Sequence, residues 1–234
     1  MSTAELAAAL DALDREPAPA VIRFDPGPAP GGRVAVLPSA FNPPTTAHLA
    51  LIDVGLAVPG VGSAAALLST KNVDKGRHGA SLADRVGMLL ALHESRPRLA
   101  VLATNAARIA DQAQALGERY PAAEFDFIVG FDTLVRLFDP RYYRDMPSEL
   151  AAFFAHHQVI AANRGEATRA VVEDFVAHSP ARPFARRIIV RELDQLPASL
   201  SSTAARDDIA HDRRPGSLPP EVQAYIEEHL LYRG

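Results

Sequence analysis

The chain contains no cysteine and no tryptophan among its 234 residues. Without cysteine, disulfides, thiolate metal ligands and cysteine nucleophiles are excluded together. The formal net charge is -4 and the basic residues are spread along the chain, so we expect no nucleic-acid partner. The N-terminus lacks the basic start of a secretory signal, and no apolar run approaches the roughly 20 residues of a membrane helix. The composition predicts a cytoplasmic protein with no membrane contact.

The first 32 residues differ in pattern from the rest. Leucines at helical spacing indicate a helix over residues 4–14, and a run rich in proline and glycine between residues 17 and 32 ends it. We therefore expect residues 1–32 to form a helical appendage with a linker. Residues 33–234 form the main domain, in which 201–234 are a C-terminal helical part, and a hydrophobic content of 48% is enough for its core.

From residue 33 onward, short apolar runs alternate with longer amphipathic segments. This alternation predicts an α/β fold, in which helices cover both faces of a doubly wound parallel sheet. Ligands of such sheets bind beyond the carboxyl ends of the strands, where the strand order reverses. The predicted strands are 33–37, 64–69, 98–103, 125–129, 157–162 and 186–191. The predicted helices are 46–57, 81–94, 105–117, a short one after Asp132, 167–178, 201–210 and 219–231.

The first of these strands runs directly into the sequence SAFNPPTTAHL, and a helix follows at once. A helix start of this kind favours an anion, because its backbone N–H groups are free and its dipole is positive there. The segment resembles the (H/T)xxH signature of nucleotidylyltransferases, and most of all that of the nicotinamide and nicotinate mononucleotide adenylyltransferases. Thr45 stands where many members have histidine, and Ala47 where many have glycine. Taken alone, Thr45 would be an ordinary helix N-cap and His48 a surface histidine.

The resemblance implies a Rossmann-like fold and a role for each residue of the segment. His48 is expected to donate a hydrogen bond to the phosphate undergoing transfer, where charge builds up in the transition state. ATP binding is expected of the turn and helix start formed by Ser39, Ala40, Phe41, Asn42 and Thr45.

A second segment, LSSTAAR at residues 200–206, resembles the ISSTxxR signature of the same family. The resemblance implies that Ser201, Ser202 and Thr203 begin a helix facing the β- and γ-phosphates, while Arg206 adds a positive charge. Taken alone, the serines would merely cap a surface helix. The two signatures occur in the order and separation typical of the family, and this pairing predicts one site for a triphosphate.

The resemblance also implies roles for further residues, whose motifs are less specific than the two signatures. Gly130 and Asp132 resemble the GxD element, whose acid accepts hydrogen bonds from the adenosine ribose, although Asp132 would serve equally well as a helix N-cap. Lys71 is expected near the transferred phosphate, and Lys71, Arg85 and Arg164 are expected to bind the substrate. The alternative is that these side chains are exposed to solvent and have no role in binding.

The family uses no enzyme nucleophile, because the acceptor phosphate attacks the α-phosphorus of ATP directly. Mg²⁺ is expected to be carried by the ATP phosphates, and no metal site is expected in the protein itself, including at His156 and His157. The resemblance implies ATP and a pyridine mononucleotide as substrates, and a dinucleotide such as NAD or its acid form with pyrophosphate as products. Aromatic candidates for stacking on the acceptor ring, where many members use tryptophan, are Phe41, Phe131, Phe138, Tyr142 and Tyr143.

Two alternatives and one structural question stay open at this point. The same fold and ATP site would suit another phosphorylated acceptor, CTP, or simple hydrolysis of ATP. A nucleotide-binding regulator without turnover is the alternative outside enzymes. The apolar face of the last helix packs equally well on its own sheet or on a second copy, so a homo-oligomer is compatible with the sequence.

Overall fold

The computed structural model describes residues 1–71, 79–163, 167–178, 180–193 and 200–233. Arg164, expected in the substrate site, lies outside these residues. The strands are β1 (Val21–Arg23), β2 (Gly32–Ser39), β3 (Val61–Ser69), β4 (Leu99–Thr104), β5 (Ala123–Gly130), β6 (Gln158–Ala162) and β7 (Ile188–Arg191). The α-helices are α1 (Thr3–Arg15), α2 (Thr46–Leu56), α3 (Leu82–Ser95), α4 (Ile109–Arg119), α5 (Phe131–Leu137), α6 (Met146–His156), α7 (Arg169–Ala177), α8 (Ser202–Ala210) and α9 (Pro220–Glu228). In the described part of the chain, no helix has the length and apolar character needed to cross a membrane.

The strands form one sheet in the order β1-β4-β3-β2-β5-β6-β7. All neighbours from β2 to β7 run parallel, and only the pairing of β1 with β4 is antiparallel. Counted from β2, the parallel strands follow the order 3-2-1-4-5-6 of the Rossmann fold. The predicted doubly wound α/β fold is confirmed. The strand order reverses between β2 and β5, which makes the carboxyl ends of these two strands the expected place for a ligand.

The central strand β2 is apolar on both sides because both faces of the sheet are covered. Successive side chains of a strand point to opposite faces. Ala35 and Leu37 accordingly lie in one hydrophobic cluster, and Val34 and Val36 lie in the other. The first cluster is completed by α1, α2, α3 and α9, and the second by α4, α5, α6 and α7. A continuous apolar run rather than an alternating one is what a strand buried on both faces requires.

The opening segment is more integrated than the expected appendage and linker. The predicted helix exists as α1, but its stripe of Leu6, Leu10 and Leu13 is buried in the first hydrophobic cluster, against α3 and β4. Within the predicted linker, residues 21–23 form β1 at the edge of the sheet. A strand of three residues between prolines is too short to show an alternating pattern, which is why the sequence gives no signal for it.

Two other elements differ from the prediction. Helix α6 is absent from the predicted elements. Its Pro147 is nevertheless compatible with a helix, because it lies in the first turn, where the N–H that proline lacks would have no partner within the helix. Helix α9 ends at Glu228 rather than at residue 231. Its Val222 and Ile226 are buried in the core of their own chain, whereas Leu230 is exposed.

Candidate active site

A cavity of about 410 Å³ lies at the carboxyl ends of β2 and β5, where the strand order reverses. Four residues assigned to ATP by their motifs line it, namely Ser39, His48, Gly130 and Asp132. They come from two segments of the chain that are about 80 residues apart in sequence, and the parallel sheet brings these segments together. The structure thus places both the first signature and the GxD element around one volume that is open to a ligand.

The imidazole of His48 is held by the residue that precedes its helix. The backbone N–H of Thr45 donates to His48 Nδ1 at 3.0 Å, and Thr45 Oγ1 lies 2.9 Å from the same nitrogen. A backbone N–H can only donate, so Nδ1 must accept and carries no proton. The proton of the neutral ring is therefore on Nε2, which lies 3.0 Å from Ser39 Oγ at the cavity. His48 is in the tautomer that can donate a hydrogen bond to a bound phosphate.

The turn between β2 and α2 is fixed by packing beneath this histidine. Phe41 is 1% exposed, and its ring centroid lies 5.1 Å from that of His48. Its φ of 44° lies in the left-handed region, which costs a residue other than glycine about 1–3 kcal/mol and persists only where the surroundings enforce it. Phe41 is consequently part of the support of the site, and its side chain does not line the cavity.

The second signature lies directly on this turn. Ser202 Oγ donates to the carbonyl of Pro43 at 2.8 Å across 159 residues of sequence, and the Arg206 guanidinium donates to the carbonyl of Asn42 at 2.5 Å. Ser201 caps α8 by accepting from the backbone N–H of Ala204, as the capping interpretation expects, and its role in phosphate binding stays a prediction. The two signatures, predicted to share a triphosphate, are in contact.

Asp132 does not cap helix α5, so the alternative interpretation of this residue as a helix N-cap is wrong. The N-cap of α5 is Gly130, without a side-chain hydrogen bond, and Asp132 is exposed in the first turn of the helix. Asp132 lines the cavity instead. One helical turn later, Arg136 lines the same cavity and was not predicted. Asp132 and Arg136 are four residues apart on a predicted helix, and this spacing alone indicates that both lie on the same helix face.

The cations Arg85 and Lys71 lie outside the lining of this cavity. Arg85 is 8% exposed, and its guanidinium donates to the carbonyls of Ala80 at 3.0 Å and Ala40 at 3.3 Å. Burial, together with the nearby charge of Arg206, lowers the pKa of Arg85. Its described contacts thus tie the start of α3 to the turn after β2. Lys71 is exposed beyond the end of β3.

Among the five aromatic candidates for ring stacking, only Phe131 lines the cavity. Its ring packs edge-on against Phe175 at 5.8 Å, which holds it at the cavity wall. Phe138 is 3% exposed and stacks on Phe154 within the second hydrophobic cluster. The candidates that do not line the cavity are Phe41, Phe138, Tyr142 and Tyr143.

His157 has a structural environment rather than that of a metal ligand. It lies among the rings of Phe125, Phe127 and Phe153, and burial lowers its pKa. Within the described ranges, no three histidine, aspartate or glutamate side chains are grouped in a way that would hold a metal ion.

Comparison with known proteins identifies relatives of this chain. No protein-family model matches it. A protein of Anaeromyxobacter sp. (strain K), assigned as a nicotinate-nucleotide adenylyltransferase, is 31% identical over 215 residues, which are 87% of this chain and 99% of that protein. A Schizosaccharomyces pombe protein, assigned as a nicotinamide mononucleotide adenylyltransferase, is 31% identical over 137 residues, 56% of this chain. The match spans about half of the yeast relative, 53% of its length.

Solved structures share the fold. The nicotinic acid mononucleotide adenylyltransferase of Plasmodium falciparum aligns with a TM-score of 0.65 in its complex with NaAD and 0.63 in its complex with APC, at 15% and 14% identity. Each alignment covers 86% of this chain and 97% of the other. With 31% identity over nearly the whole Anaeromyxobacter protein, this chain belongs to the nicotinate and nicotinamide mononucleotide adenylyltransferase family.

Proposed function

We propose that this protein transfers the AMP part of ATP to the phosphate of nicotinamide or nicotinate mononucleotide, giving a dinucleotide and pyrophosphate. The observation that carries the proposal is the contact between the two signatures, in which Ser202 and Arg206 donate to the turn that precedes His48. No described residue of α8 lines the cavity beside His48. In this proposal the triphosphate therefore extends from the imidazole across the turn to the start of α8. The family membership of the chain supports the same reaction.

The chemical step needs no nucleophile from the protein. An oxygen of the mononucleotide phosphate forms a bond to the α-phosphorus of ATP, and the bond from that phosphorus to the bridging oxygen of the β-phosphate breaks as pyrophosphate leaves. The Nε2–H of His48 donates to an oxygen of the α-phosphate while charge builds there. The Thr45 N–H keeps Nδ1 as the acceptor, so the donor is in place before ATP arrives.

The β- and γ-phosphates lie, in this proposal, at the start of α8. Ser201 and Ser202 place the helix dipole and its N–H groups there, and the Arg206 guanidinium adds charge. Mg²⁺ carried by the phosphates would neutralise the leaving pyrophosphate. The described side chains fit this arrangement, since Ser202 and Arg206 on α8 and His48 at the cavity are donors for phosphate oxygens. Lys71 and Arg164 remain predicted contributors to substrate binding.

The nucleoside parts use the other wall of the cavity. Asp132 accepts from the ribose hydroxyls of the adenosine, and Gly130 permits close approach of the sugar to the end of β5. Phe131 is the aromatic surface on which the acceptor ring stacks. Arg85 contributes indirectly, because its described hydrogen bonds hold the backbone of the turn. The cytoplasmic location stays a prediction of the sequence.

The test measures pyrophosphate release from purified protein and Mg-ATP with nicotinamide mononucleotide, with nicotinate mononucleotide and without acceptor. We expect release that depends on one acceptor, is lost in His48→Ala and is retained in His211→Ala, whose side chain is exposed at the end of α8. Phosphate release without any acceptor would instead assign ATP hydrolysis. Binding of Mg-ATP without turnover would assign a nucleotide-binding regulator.

A further inference from the structure

The C-terminal segment returns to the candidate active site. After α9, Leu230 and Tyr232 have φ values of 53° and 63°, so the chain turns sharply through left-handed backbone. This turn carries the Tyr232 hydroxyl to the side chain of Asn42, where it donates to Oδ1 at 2.9 Å across 190 residues of sequence. A tyrosine two residues from the end of the chain thus contacts the turn between β2 and α2.

Asn42 is held by contacts from several elements. Its Oδ1 accepts the Tyr232 hydroxyl and also the backbone N–H of Ala80 at 3.2 Å, while its own carbonyl accepts from Arg206. Gly79 packs on the amide so closely that a Cβ there would lie 2.6 Å from Oδ1. The φ of Gly79 is +88°, which glycine adopts without strain. Asn42 is therefore the point at which the C-terminus, the start of α3 and α8 meet.

The environment of Tyr232 keeps its hydroxyl a donor. Burial raises its pKa strongly, and the nearby guanidinium groups of Arg85 and Arg206 offset this only in part. The phenol therefore stays protonated at neutral and moderately basic pH. The ring packs against the first hydrophobic cluster, which limits the positions that the hydroxyl can take.

We propose that Tyr232 is a positioning residue for ATP, which acts by holding Asn42 and thereby the phosphate-binding turn formed by residues 41–44. The turn needs such support because Phe41 has left-handed backbone, which relaxes when its neighbours loosen. Arg206 donates to the carbonyl of Asn42, so a shift of Asn42 also moves an assigned phosphate ligand. This inference rests on the ATP site of the proposed function and is independent of the acceptor.

The test measures the Kd of Mg-ATP by isothermal titration calorimetry in the full chain and in Tyr232→Phe. A typical hydrogen bond is worth about 0.5–1.5 kcal/mol net, so we expect Kd to rise by up to about tenfold. The matched control is Tyr225→Phe, which removes a hydroxyl of α9 that lies 3.4 Å from Asp84 Oδ1 and has no described contact with the turn. The control is expected to keep the wild-type Kd. An unchanged Kd in Tyr232→Phe, or an equal rise in both variants, would overturn the proposal.

A double-variant cycle tests the route through Asn42. If Tyr232 acts by holding Asn42, Tyr232→Phe adds no further loss in an Asn42→Ala background. If the two substitutions raise Kd by factors that multiply in the double variant, Tyr232 acts by a route other than Asn42. A merely structural role would lower the thermal midpoint and leave the Kd of the folded fraction unchanged. The Kd of Mg-ATP is measured without an acceptor. If the wild type makes no dinucleotide, that result counts against the proposed function, while the comparison of Kd values still tests the role of Tyr232.

Discussion

The backbone N–H of Thr45 and Nδ1 of His48 form a hydrogen bond of 3.0 Å inside the first turn of α2. The third residue of a helix often reaches back in this way to the N-cap backbone with a glutamate or glutamine side chain. Here a histidine does so, and the acceptor role of one ring nitrogen fixes the other as a donor. Helix capping and the preparation of the phosphate donor are therefore one interaction.

His48→Ala is expected to lower kcat by about 10²- to 10³-fold, the range seen when one preorganised donor to a transition state is removed. The Kd of Mg-ATP should change little, because the N–H groups and Arg206 remain. Steady-state kinetics and calorimetry on the same preparation check both values. A variant with wild-type kcat would remove His48 from the mechanism.

Ser39→Ala is expected to reduce kcat less than His48→Ala does, by about tenfold or less, because the serine accepts from Nε2 only until a phosphate takes its place. The orientation of the ring is kept by Thr45 in this variant. The comparison of kcat in the two variants is the measurement. A loss as large as that of His48→Ala would mean that Ser39 itself contacts the reacting phosphate.

Phe131→Leu is expected to raise the KM of the pyridine mononucleotide by up to about tenfold, since an aromatic pair is worth about 0.5–1.5 kcal/mol beyond area burial. The KM of ATP should stay near its wild-type value. Phe138→Leu is the matched control, because Phe138 is 3% exposed and does not line the cavity. It should lower stability and leave both KM values unchanged. Equal KM effects in the two variants would rule out ring stacking on Phe131.

Leu10→Ala is expected to lower the free energy of unfolding by about 2–5 kcal/mol, the usual cost of truncating a buried leucine. Leu10 is 2% exposed in the first hydrophobic cluster, although it belongs to the segment expected to be an appendage. Urea unfolding monitored by circular dichroism measures the change. A cost below about 0.5 kcal/mol, which is usual for surface positions, would show that α1 is dispensable to the core.

Stability should fall in acid through Asp25. Burial alone would raise the pKa of this carboxyl, but Arg23 and the backbone N–H groups of Val101 and Gly27 hold it below its ordinary value. A group whose pKa is lower in the folded state stabilises the fold above its unfolded pKa of about 3.9 and loses that contribution as the pH falls through the folded pKa. Unfolding free energies measured from pH 6 down to about pH 3 should therefore decline more steeply in the wild type than in Asp25→Asn. Parallel curves would contradict this assignment.

The sequence predicts the fold class and most parallel strands because the central strands are continuous apolar runs and the helices are amphipathic. Each signature is recognisable because it is local in sequence, whereas the contact between the two depends on how α8 packs on the turn after β2. Tyr232 gives no such signal, since its hydrogen bond to Asn42 depends on the path of the whole chain. The burial of Arg85 is likewise set by tertiary packing. Local patterns thus indicate some residues that line the cavity, such as His48 and Asp132, but not the residues that support them.

The short β1 strand also affects how molecules of this protein meet one another. Without β1, the six-residue strand β4 would form one margin of the sheet, with its backbone groups unpaired and Val101, Leu102 and Ala103 beside them. Such a margin is a template on which another chain can add a strand and begin to aggregate. By pairing with the last three residues of β4, β1 leaves only a three-residue strand at this edge, which limits such pairing between molecules. This role is separate from any chemistry at the ends of β2 and β5.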